Sequence, residues 1–238
     1  RQPITRIPTT ARNGGEIFPQ AFKPRFGDGV DVLFGAGRRK IGEQLAAVGT
    51  GFDQLGQPHA RPIHATLPEV ADAEKRPVVV GDAMDARTAT LKALDILEKS
   101  PKGYFLVVEW DAHTDDPKEG LQNVVDFDKL IAEVQARVDL DDTLLLFTAD
   151  HTFGLQVDGG RRGQHLLAGY DAWKAAKSKE DIVRLGNVLV NRTHTGEEVA
   201  TLAIGAGAER VRGYFPNTYL FEVMMKAWGW MPDDAPSN

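Results

Sequence analysis

Cysteine is absent from this 238-residue chain, which excludes disulfides and thiolate metal sites and leaves histidine, aspartate and glutamate as the only metal ligands. Serine is scarce: Ser100, Ser178 and Ser237 are the whole supply. No apolar run approaches the ~20 residues that cross a bilayer, and nothing at the start resembles a signal peptide, so no membrane span is expected. A basic cluster is missing too, and with a net charge of −6 this argues against a nucleic-acid partner. There is no internal repeat and no low-complexity segment. The chain starts at Arg1 without a methionine and is read as a piece of something longer. What is present, 42% apolar and 26% charged residues, is ordinary for a globular chain.

Short apolar runs alternate with amphipathic segments, the pattern of strands and crossover helices. "VDVLFGAG", residues 30–37, reads as a buried strand running into glycines, and "RPVVVGD" as a shorter one. Leu91, Leu94 and Leu97 recur at helical spacing between Ala86 and Lys99, and Pro101-Lys102-Gly103 stops that helix. "YFLVVEWD", residues 104–111, is the next expected strand, followed by a helix with Val124, Phe127, Ile131, Val134 and Val138 on one stripe. "TLLLFTAD" and "EEVATLAIGAG" are further strands, and "TYLFEVMMKAWGW" is a closing helix. The order implies an α/β fold, a mostly parallel sheet with helices on both faces. Residues 152–193 read as an irregular insertion within one α/β portion spanning 1–238, and the first 29 residues as loop.

The polar residues fall at the strand ends. Glu109, Asp111 and His113 share one side if the backbone stays extended, because strand side chains alternate. Asp150 and His151 end a second strand, and His194 stands just before a third. An Asp-His pair after a strand is more often a turn or cap element than a ligand pair. Convergence of three strand ends, each with ligand-type side chains, favours a metal: Zn²⁺ for the imidazoles, Mg²⁺ for an oxygen-rich position. Arg38, Arg39, Arg161 and Arg162 are read first as solvated loop charge.

These residues carry a resemblance. "FLVVEWDAHTD", a helix, "TLLLFTADHTFG" and "THTGEEVATLAIGAGAERVRGYFPNTYLFEVMMKAWG" together resemble the carboxyl-terminal half of an alkaline phosphatase, and "DVLFGAGRRK" matches that family's strand and glycine-rich turn. The resemblance implies two zinc ions and a magnesium, and a serine transiently phosphorylated by a phosphate monoester. It implies that Asp150 and His151 bind the zinc beside the nucleophile, that His194 binds the other zinc, and that Glu109 holds magnesium. In the commonest pattern an aspartate follows that glutamate by five residues and a histidine comes four later. Here Asp111 follows Glu109 by two, so either His113 or Asp115 completes the site, with His113 preferred because it shares a strand side with Asp111.

The same resemblance places the nucleophilic serine, an arginine and a bridging aspartate in an amino-terminal half that this chain lacks. None of the three serines follows a strand into a helix. The fold is then incomplete without that half, the chain holds no catalytic nucleophile, and the missing half is its partner. A homodimer and a periplasmic or secreted location belong to the same family expectation. Alternatives are a related metal-dependent phosphomutase or sulfatase, and a noncatalytic metal-binding fragment.

Overall fold

Successive side chains of an extended strand face opposite ways, so residues 30–36, apolar on both faces apart from Asp31, should be covered on each side. The computed structural model of the protein describes residues 14–112, 116–154, 156–157, 162–176, 182–191 and 193–232. They divide into two units, Arg1–Asp111 and Ala112–Asn238.

The first unit holds α1 (Gly14–Ile17), β1 (Leu33–Ala36), α2 (Arg38–Ala47), α3 (Phe52–Gly56), β2 (Ile63–His64), β3 (Val78–Gly81) and α4 (Ala86–Leu97). Both β1 and β2 pair in parallel with β3, which is central. Leu33, Val78 and Val80 pack with Phe18, Phe22, Ile41 and Leu45 on one face; Val32, Phe34 and Val79 pack with Ala89, Ala93 and Leu97 on the other. This is an α/β sheet covered by helices on both faces, and its near-continuous valine run is what such a strand requires.

Three expectations are corrected here. The first 29 residues are not all loop: α1 and a 3₁₀ turn at Phe18–Ala21 carry Phe18 and Phe22 into the core, their rings edge to face at 5.7 Å. Arg38 is not a solvated charge. Gly37, at φ +105°, turns the chain from β1 into α2, and Arg38 Nη1 then donates to the carbonyls of His64 at 3.0 Å and Val80 at 2.9 Å, its guanidinium lying over Phe52. Arg39 does behave as solvated helix charge, pairing with Glu43. Arg161 lies outside the described residues, and Arg162 is exposed. Third, the strand expected over residues 104–111 belongs to no ladder among the described residues. Tyr104 and Leu106 do pack onto the α4 face, and from Leu106 to Asp111 exposure alternates as it would in a strand. The alternation is local, but a ladder needs a backbone partner that the sequence does not name.

In the second unit, α5 (Pro117–Arg137) starts where Asp116 accepts from the N–H groups of Lys118 and Glu119, with Pro117 at the first helical position. Its stripe centres on buried Leu130, with Phe127 against Phe147; Val124, expected inside, is exposed. After α5 come β4 (Leu144–Thr148), β5 (Gln156–Val157), α6 (Tyr170–Ala176), β6 (Ile182–Arg184), β7 (Val188–Asn191), β8 (Thr201–Gly205) and α7 (Tyr219–Ala227). The stretch 152–193 thus carries a small antiparallel sheet, β5-β7-β6, and a helix. β4 and β8 are also antiparallel, from Leu144 opposite Gly205 to Thr148 opposite Thr201. This direction matters, because it sets the carboxyl end of β4 beside the chain that leads into β8.

α6 is latched to the start of α5. Asp116 Oδ2 accepts from Tyr170 Oη at 2.7 Å and Lys174 Nζ at 2.5 Å. Burial pushes the Asp116 carboxyl up, but the bonds from Lys174, Tyr170 and the two backbone N–H groups outweigh it and hold its pKa at about 2. The folded-state value lies below the unfolded one of about 3.9, so the carboxylate stabilises the fold above pH ~4 and that stability is lost as pH falls toward about 2. Asp116→Asn is therefore expected to unfold at lower urea than the parent at pH 7, with the gap closing between pH 4 and pH 2. A gap independent of pH would show that the charge is not what holds α6.

Candidate metal centre

Asp150 and His151 leave the end of β4, and His194 lies seven residues before β8 begins at Thr201. An isolated antiparallel bridge, Thr152 opposite Thr195, joins the two stretches; Thr195 N donates to Thr152 O at 2.9 Å. In such a bridge the residues on either side of the paired ones point to the opposite face. His151, Phe153 and His194 accordingly form one cluster. The imidazoles of His151 and His194 stack with ring centroids 3.8 Å apart and planes 24° from parallel, and Phe153 meets both edge to face, at 5.1 and 5.4 Å.

Nδ1 of His151 is buried and has no hydrogen-bond partner among the described residues, while its Nε2 lies 3.4 Å from Asp150 Oδ2. A buried imidazole nitrogen without a partner is costly unless something else occupies its lone pair. Neutral imidazole nitrogen and carboxylate oxygen are what zinc takes. The donor chemistry therefore fits a zinc ion, although among the described residues no three His, Asp or Glu side chains already stand around one point.

The sequence-derived candidates divide accordingly. The structure brings Asp150, His151 and His194 together in the second unit. Glu109 and Asp111 belong to the first unit and are both exposed. His113 and Asp115 lie outside the described residues.

Sequence reasoning passed over the face opposite the histidines. Thr152 Oγ1 donates to Glu197 Oε2 at 2.5 Å and lies 3.0 Å from Thr195 Oγ1. Hydrogen bonds from Thr152 and Thr195 hold the Glu197 carboxyl below the usual carboxylate range. The alternation of "HTF" against "THTGE" was the available signal, since it puts threonines behind histidines once the two stretches pair.

Comparison with known proteins agrees with the motifs. The alkaline phosphatase family model matches residues 85–189. "Alkaline phosphatase 4" of Bacillus subtilis is 26% identical over 83% of this chain and 57% of its own length. "Streptomycin-6-phosphate phosphatase" of Streptomyces griseus is 29% identical over 78% of this chain and 46% of its own length. The tissue-nonspecific alkaline phosphatase of Felis catus is 27% identical over 57% of this chain and 33% of its own. The chain thus spans about half the length, or less, of these curated relatives.

Proposed function

We propose that this chain, a segment of alkaline phosphatase kind, supplies most of the metal ligands of a phosphate monoester hydrolase that uses two zinc ions and a magnesium. The stacked His151–His194 pair, with a buried and unsatisfied nitrogen, carries the reading. His151 with Asp150 is proposed for one zinc and His194 for the second; the family pattern, by sequence alone, adds Asp111 and His113, or Asp115 in its place, as zinc ligands and Glu109 as the magnesium ligand. Bound there, the ions would lower the pKa of a hydroxyl or water and neutralise charge on the phosphoryl oxygens. The chain's own residues hold and orient. Phe153 packs edge to face against both imidazoles, and the bridge beneath sets both rings on one face.

Substrate, partner and location stay within the same proposal: a phosphate monoester, an amino-terminal half that brings the serine, a homodimeric assembly, and export from the cytoplasm. No described helix is long and apolar enough to cross a membrane. The complete gene product, assayed at alkaline pH, should hydrolyse a chromogenic phosphate monoester, lose that activity to a chelator and regain it with zinc. Streptomycin 6-phosphate belongs in the substrate panel because one relative is named for it. Faster hydrolysis of a sulfate ester, or activity indifferent to chelation, would overturn the reading.

A further inference from the structure

We infer that Glu197 is a positioning residue for the histidine pair, acting through the hydroxyls of Thr152 and Thr195; the inference rests on the metal-site reading above. The geometry starts from how little else holds the two histidines in place. The bridge between Thr152 and Thr195 is isolated among the described residues, and Phe153 O accepts one further backbone bond, from Asn191 N at 2.9 Å. So few backbone bonds leave the His194 stretch room to slip or twist against the His151 stretch, and stacked rings 3.8 Å apart tolerate little of either. The side-chain bonds behind the bridge supply the missing constraint.

A threonine hydroxyl has one hydrogen to give. Thr152 Oγ1 has three oxygens in reach: Glu197 Oε2 at 2.5 Å, Thr195 Oγ1 at 3.0 Å and Thr195 O at 3.3 Å. The carboxylate is both the nearest and the only charged acceptor, so the hydrogen goes there. Thr152 Oγ1 is left as an acceptor, so the Thr195 hydroxyl, 3.0 Å away, gives its own single hydrogen to Thr152 Oγ1 or to the carboxylate. Glu197, directly through Thr152 and with the linked hydroxyl of Thr195, therefore ties the two sides of the bridge together. The backbone makes room for it: Gly154, at φ +58°, lies where an added Cβ would stand 2.5 Å from Asn191 Nδ2 and 3.4 Å from Glu197 Oε1. A side chain at 154 would clash with the Asn191 amide and crowd the carboxylate from that side.

Glu197 lies on the face away from the imidazoles and belongs to no ligand set. Its effect would pass from carboxylate to hydroxyl to the residue beside each histidine, the kind of outer contact whose loss weakens metal affinity about 10- to 100-fold. The test uses the metal-free chain first. In NMR spectra the ring protons of His151 and His194 should show mutual ring-current shifts. Glu197→Gln, and the nearly isosteric Thr152→Val, should abolish those shifts, while Thr152→Ser should keep them.

Zinc titration of the same proteins should then show at least about tenfold weaker binding for Glu197→Gln and Thr152→Val, with Thr152→Ser close to the parent. Should Glu197→Gln fail to fold, Thr152→Val against Thr152→Ser decides the matter. Ring shifts and zinc affinity unchanged in the folded variants would overturn the inference. A parent chain that binds no zinc, yet whose ring shifts vanish on substitution, would sink the metal-site reading and leave the clamp standing.

Discussion

The 238-residue chain, supplied with zinc and magnesium, is expected to hydrolyse a chromogenic phosphate monoester at least about 10²-fold more slowly than the complete protein. The expectation follows from what its side chains are engaged in. Ser100 sits in the turn that follows α4, and Ser178 and Ser237 lie outside the described residues. The arginines near the first sheet are engaged elsewhere, Arg38 on two backbone carbonyls and Arg39 on Glu43. In the proposed reading the nucleophile and its charge-stabilising cation come from the amino-terminal half, and losing either costs a factor of about 10² to 10⁵. In the complete protein, His194→Ala should lower the rate by a comparable factor, with loss of bound zinc measured directly. Chelator-sensitive turnover of several per second by the chain alone would show that it holds its own nucleophile.

Leu45→Ala is expected to destabilise the first unit by about 3 kcal/mol, the middle of the range for deleting a fully buried leucine side chain. Leu45 has no solvent exposure and lies among Phe18, Phe22, Ile41 and the inner residues of β1 and β3, a sheet face that cannot collapse around a void without moving its ladder. Leu202→Ala is the contrast. That side chain is 59% exposed on β8, and its loss should change stability by no more than about 0.5 kcal/mol. Urea unfolding followed by circular dichroism reads both: the first substitution should move the midpoint by about 1–2 M, the second by little. Equal shifts would mean that the α1–α2 face of the sheet is not the core it is taken to be.

Much of this was determined by the sequence itself. Residues 30–36, apart from Asp31, and 77–80 are apolar on both faces, which suits strands covered on each side, so the buried sheet of the first unit was legible in the pattern. The leucines of α4 and the Asp-Pro start of α5 are equally local signals, since caps and helical stripes depend on near neighbours along the chain. Asp150, His151 and His194 were legible as candidates because histidine is scarce, six in the chain, and these residues stand at strand ends. Tertiary structure alone decided the rest. Strand direction is set by which backbone arrives alongside, and the antiparallel pairing of β4 with β8 is what carries His194 to His151. The segment 106–111 has the alternation of a strand without a ladder, because a partner is a long-range fact. Glu197 acquired a role only when the Thr152–Thr195 bridge brought two hydroxyls, 43 positions apart in the chain, onto one carboxylate.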